Sequence, residues 1–126
     1  MNDMKYLTLD DVVAVIQHLR VGPIRDLGLL DSAVNRPRAS AFGRDMYQTV
    51  ELKAAALLHS MTKNHALVDG NKRTAWLATM VFCDLNGLES PLGDDDAIQL
   101  LRDVASSAID DIYTIAQRLQ LVARRS

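Results

Sequence analysis

With 126 residues, 48% hydrophobic and 24% charged, the chain has the length and composition of one ordinary globular domain, residues 1–126, able to bury a core without disulfide or metal staples. Its formal net charge of −2 has the wrong sign for a general nucleic-acid binder, which carries a strong positive excess, but it leaves room for one bound polyphosphate. No apolar run approaches the roughly 20 residues of a membrane span, and the opening "MNDMKYLTLDD" lacks the apolar stretch of a secretory signal, so a cytoplasmic location away from the membrane is expected.

The first predicted element is a helix in "TLDDVVAVIQHLR", where Thr8 is the N-cap, Asp11 nearly completes a capping box, and Val12, Val13, Ile16 and Leu19 recur on one face. His18 falls on its exposed side. Gly22 and Pro23 end that helix, a loop runs through Arg25, and a short helix covers Leu29 to Asn35 before Pro37 cuts it. The stretch from Arg38 to Thr49, "RASAFGRDMYQT", has weak helical period and one glycine. It reads as a loop or a small hairpin-like flap, whose Arg44, Asp45 and Tyr47 are either surface polarity or contacts for a target segment.

From Val50 to Met61, "VELKAAALLHSM" is alanine-rich and helix-prone, with His59 read as a structural residue. A long, mostly apolar helix from Asn71 to Asn86, stopped by Gly87, is expected to run through the core with Cys83 as a core side chain and Trp76 read as core in preference to a nucleotide platform. A buried Cys83 behaves as a small hydrophobe rather than a reactive thiol. Asp94, Asp95 and Asp96 open the next helix, "DDDAIQLLRDVA", where three acids are expected to cap it and complement its dipole rather than build a metal site. Ser107 with Asp110 is read as the cap of a last helix ending near Val122, and Arg124 and Arg125 as a solvated tail. The fold expected is therefore all-α, a compact domain of about six helices.

Between two of these helices lies "NHALVDGNKRTAW", which puts Lys72 and Arg73 where a helix begins. The free N–H groups of a first helical turn carry roughly half a positive charge, so acids normally stand there. Two cations in that place call for a bound anion. Gly70 permits a tight turn and Asn71 is a natural N-cap. Backbone N–H groups, a lysine and an arginine then converge on one small volume, as in phosphate sites, although no Walker pattern G-x-x-x-x-G-K-[ST] occurs in the chain. Asp69 suits a Mg²⁺ ion that is shared with phosphate oxygens, and His65 is the one group of the stretch able to take a proton near neutral pH. Singly, each has an ordinary explanation: a polar bridge, an Asp-Gly-Asn turn, an exposed Lys-Arg pair. Together in nine residues they mark a site.

"HALVDGNKRT" resembles the signature of the Fic/Doc family, usually written H-[PX]-F-x-[DE]-G-N-[GK]-R. The N-K-R-T version is similar to the Doc branch, toxins of toxin–antitoxin modules. The likeness continues through "LGLLDSAVNRP" and "ELKAAALLHSMTKNH". It implies that His65 is a general base on a target hydroxyl, that Asp69 binds Mg²⁺, and that Gly70, Asn71, Lys72 and Arg73 form the phosphate-binding turn for ATP, with Lys72 and Arg73 also assisting catalysis. Members with glycine at the position of Lys72 transfer AMP to protein hydroxyls. Doc-type members with lysine transfer the γ-phosphoryl group to a threonine of a translation elongation factor, elongation factor Tu, and so arrest translation.

Two departures bear on the choice. Leu67 replaces the usual phenylalanine as a buried anchor, and Trp76 replaces the second arginine of the AMP-transferring motif, which fits the Doc branch. The family's inhibitory motif, [ST]-x-x-x-E-[GN], is missing, since neither Glu51 nor Glu89 follows a serine or threonine by four residues. Inhibition is thus expected in trans, from a Phd-like antitoxin. The alternatives are an AMP transferase and a catalytically silent module that engages an antitoxin and regulates its operon.

Overall fold

The computed structural model describes residues 3–125. Local capping chemistry sets where its helices begin. Thr8 accepts from Asp11 N at 3.1 Å and its own N–H donates to the Asp11 carboxylate at 2.8 Å, so helix α1, Leu9–Leu19, starts on a full capping box. Helix α2, Leu27–Asn35, starts two residues before the expected Leu29, because Asp26 accepts from Leu29 N at 2.9 Å and so becomes the cap. Pro37 then sits in a short 3₁₀ turn, Arg36–Arg38. The following stretch is the hairpin alternative, strands β1, Ser40–Ala41, and β2, Arg44–Asp45, paired antiparallel. Thr49 caps α3, Val50–Lys63, and α4 covers Asn71–Leu85. Strand β3, Leu88–Glu89, precedes α5, Asp94–Ala105, which carries Asp94, Asp95 and Asp96 in its first turn as the dipole argument requires, but none of them caps it: the N-cap is Gly93, which has no side chain to bond the first turn.

The C-terminal end departs from expectation. The cap of α6, Ile112–Leu119, is Asp111 rather than Ser107 with Asp110: its carboxylate accepts from both N–H and Oγ1 of Thr114, at 2.9 and 2.8 Å. The helix stops at Leu119, where Gln120 turns to φ 54°, and strand β4, Val122–Ala123, pairs with β3. Nor is the arginine tail free in solvent. Arg124 N donates to Gly87 O at 2.8 Å, its guanidinium reaches Asp84 at 3.2 Å, and Arg125 N donates to Glu89 at 2.7 Å.

Helix α3 is the centre of the packing. Its run Ala54, Ala55, Ala56, Leu57 and Leu58 is buried, and it touches α2, α4, α5 and α6. Small alanines let those neighbours approach closely while Phe82, Leu100, Ile115 and Leu119 fill the space between them, each contributing roughly 1.5–3 kcal/mol by burial. Tyr6 stacks on Phe82 at a centroid distance of 6.3 Å. Cys83 is fully buried, and burial first, then the charge of Glu51, pushes its thiol up to about 12. It is an inert core group, as its sequence neighbourhood implied.

One cation lies inside. Lys53, 1% exposed, donates to Pro37 O at 3.2 Å and to Asp45 at 3.1 Å, and lies over the ring of Tyr6. A buried charge persists only when paired, so this lysine ties the hairpin to the core. Arg36 adds a second tie through Tyr47 Oη at 3.1 Å. Asp45 and Tyr47 therefore hold the hairpin in place, while Arg44 and the tip residue Phe42 are exposed. No helix among the described residues is long and apolar enough to cross a membrane.

Candidate active site

The segment joining α3 to α4 is short but tightly laced to the loop after α1. Ala66 and Leu67 are buried, Leu67 forms an isolated bridge with Ile24, and Val68 N donates to Pro23 O at 3.0 Å. Gly22 N donates to Asp69 O at 3.0 Å, and Ala66 O accepts from Arg25 N and Asp26 N at 2.7 and 3.1 Å. Leu67 is thus the buried anchor that its motif position implied.

Asn71 does not cap the helix as expected. It occupies the first helical position and folds its side chain back, accepting from Leu67 N at 3.0 Å and donating to Leu67 O at 2.9 Å. That bracket closes the turn, and the cap falls to Gly70, φ 89° and ψ 16°. Glycine is required there twice over. The left-handed backbone disfavours a side chain, and a Cβ at this position would lie 2.4 Å from Cβ of Val21.

Because glycine offers no capping side chain, the first turn of α4 has no side-chain cap, and its first intrahelical bond runs from Thr74 N to Gly70 O at 2.9 Å. The N–H groups of Asn71, Lys72 and Arg73 precede that bond and open towards a cleft of about 270 Å³. His65, Asp69, Gly70, Asn71, Lys72 and Arg73, all six residues singled out in the sequence, line it. Lys72 and Arg73 are exposed, and among the described residues neither has an ion-pair partner. The positive end of the helix and two cations therefore share one opening.

His65 is held in the left-handed region, φ 50°. Histidine visits that region more readily than most residues, yet it still costs on the order of 1–3 kcal/mol. Arg25 offsets this by gripping the His65 carbonyl from Nε at 3.1 Å and from Nη2. Sequence reasoning missed Arg25, which lies in another loop and joins the site only through folding. It also missed Val21, Ala105 and Thr62. For Thr62 a signal existed, since it stands three residues before His65 at the end of α3. The residue borders the cleft but is 1% exposed, and its buried Oγ1 has no partner among the described residues.

Uncapped N–H groups and two cations without ion-pair partners among the described residues are donors of the kind that hold phosphate. Among the described residues no three His, Cys, Asp or Glu side chains gather to hold a metal ion. Asp69 alone suits Mg²⁺, which is commonly held by one or two carboxylates together with substrate phosphates.

The remaining candidates settle elsewhere. His18 is exposed on α1. His59 bridges Arg36 Nη1 and Asp110, both at 2.6 Å. A guanidinium can only donate, so His59 Nδ1 accepts and Nε2–H donates to Asp110, a structural role. Trp76 was expected in the core. It packs against the core but is only partly buried, and its remaining surface lines a groove beside Arg73.

A sequence model of the Fic/DOC family matches residues 6–83, a span that holds the whole cleft-forming segment and most of α4. Toxin Doc of Mycolicibacterium smegmatis (strain ATCC 700084 / mc(2)155) is 49% identical over 89 residues, which cover 69% of this chain and 68% of that protein.

Proposed function

The chain belongs to the Fic/DOC family, and on that premise we propose that it is a Doc-like toxin of a toxin–antitoxin module. Its reaction is transfer of the γ-phosphoryl group of ATP to a protein hydroxyl, a threonine of a translation factor such as elongation factor Tu, which arrests translation. A small Phd-like antitoxin restrains it in trans. The observation that carries this reading is the uncapped start of α4, where Lys72 and Arg73 open with His65 and Asp69 into one cleft.

In this reading the N–H groups of Asn71, Lys72 and Arg73 hold the phosphates, as helix N-termini do. The Lys72 and Arg73 side chains oppose the charge spread over the transferring group, which is where catalysis of phosphoryl transfer is concentrated. His65 takes the proton of the attacking hydroxyl, and the bracket of Arg25 on its backbone keeps the imidazole at the cleft. Mg²⁺ held at Asp69 would neutralise phosphate charge when bound. Lys72 in place of glycine and Trp76 in place of arginine favour phosphoryl over AMP transfer.

Incubating the purified chain with cell extract and ATP labelled separately at the α- and γ-phosphate tests the reaction. Label from the γ position on a protein is the expected result. Label from the α position instead would make the chain an AMP transferase, and no label from folded protein would make it the silent, antitoxin-binding module.

A further inference from the structure

A second depression, about 380 Å³, lies beside the first cleft, between the end of α1 and the first halves of α4 and α5. Its walls are largely apolar, with Leu19, Trp76, Leu77 and Ile98 among them, and Ile98 keeps 46% of its surface exposed. Arg73 lines both cavities. Trp76 follows Arg73 by three residues, roughly 4.5 Å along the helix axis, on the same side of α4.

We infer that this groove is a nucleoside subsite: the base of the nucleotide whose phosphates sit at the start of α4 lies against Trp76, with Arg73 at the junction of the two cavities. The inference rests on the reading of the first cleft as a triphosphate site. A nucleotide is a polyanion joined to a flat, weakly polar base, and the two cavities present the complementary chemistry side by side. Charge fixes the direction. Acidic Asp94 borders the groove, where Arg73 is the one cation among the described residues, so phosphate is disfavoured at this end and belongs at the end where Lys72 and the free N–H groups stand. The indole supplies the stacking surface, a contact every base can make.

The shape of the apolar surface also decides between occupants. A partner helix would need a stripe of anchors at i, i+3 or i+4, and i+7. Among the large exposed hydrophobics of the described residues, only Ile98 borders this groove, which makes a spot the size of a base rather than a stripe.

The chain has a single tryptophan, so its fluorescence reports this position directly. Emission is followed while the protein is titrated with Mg²⁺–ATP and, separately, with Mg²⁺–tripolyphosphate, and calorimetry records binding of each. ATP should shift or quench the emission, whereas tripolyphosphate should bind and leave it nearly unchanged. Trp76→Leu should bind ATP roughly tenfold more weakly, within the range of base–aromatic stacking, with its affinity for tripolyphosphate intact. Trp76→Phe should retain most of the ATP affinity. If ATP binds by calorimetry but leaves the emission unchanged and Trp76→Leu binds it as well as wild type, the base lies elsewhere. Equal loss of both ligands in Trp76→Leu and Trp76→Phe would reduce Trp76 to packing and overturn the inference too. If neither ligand binds wild type, it is the triphosphate reading of the first cleft that fails, and the subsite falls with it.

Discussion

Gly70 joins backbone, packing and chemistry at one residue. Its left-handed φ ends the linking segment, its bare Cα lets Val21 close over the turn, and its missing side chain leaves the first turn of α4 open. Gly70→Ala should therefore destabilise the fold, by about 1–2 kcal/mol from the left-handed backbone and further from the overlap with Val21. Urea denaturation measures it, and an unchanged midpoint would mean that Val21 moves aside without cost. His65 differs, since its imidazole is exposed and bonded to none of the described residues. His65→Ala should leave the melting temperature close to wild type while lowering transfer by ~10²–10⁴, the usual worth of a general base. Growth arrest at full strength from the folded mutant would remove His65 from the mechanism. These residues were legible because nine consecutive letters held them all. Arg25 and Val21 were not, because nothing local ties a loop after α1 to a turn before α4. Asn71 was assigned the cap and stands one position inside it: propensity names a good cap, and only the fold shows that Gly70 takes that place while Leu67 takes the Asn71 side chain.

At the scale of the element, the helices with strong caps at Thr8 and Thr49 began where the sequence placed them, since a side chain bonding an N–H three residues on is a local event. Ambiguity arose where acids repeat. Asp110 and Asp111 both precede α6, and Asp111 wins because Thr114 offers it a hydroxyl as well as an N–H, while His59 occupies Asp110. The pairing of β3 with β4 was invisible, as strands of two residues show no period. Helix α4 carries a cost that its own sequence does not repay: Lys72 and Arg73 oppose the helix dipole, by ~0.3–1 kcal/mol each at an exposed site. A triphosphate would reverse that sign. Mg²⁺–ATP should accordingly raise the melting temperature as RT ln(1 + [L]/Kd) dictates for a ligand of the folded state alone. Lys72→Gly should gain less from Mg²⁺–ATP than wild type and lose γ-phosphoryl transfer. Equal transfer by the two proteins would leave Lys72 without a role at the helix start.

Across the whole molecule, the site depends on α3, whose end carries Thr62 and leads into His65, and α3 is pinned to the C-terminal half through His59 and Asp110. The hydrogen bond from His59 holds the Asp110 carboxyl below the usual carboxylate range, and the bonds from Thr114 do the same for Asp111 at the cap of α6. Both groups bind their proton less readily folded than unfolded. Their contribution is therefore complete above the unfolded value, near ~3.9, and is lost as pH falls through the lower folded values. Asp110→Asn isolates the charge, because the amide keeps an oxygen that can still accept from His59. Wild type should melt above Asp110→Asn at about pH 5, where the carboxylate is ionised in both states, and the two curves should converge as pH falls towards ~2. Thermal scans across that range measure the gap directly. A gap that stays constant, or widens in acid, would show that the carboxylate charge does not join α3 to the start of α6, and that this end of the site is held by packing alone.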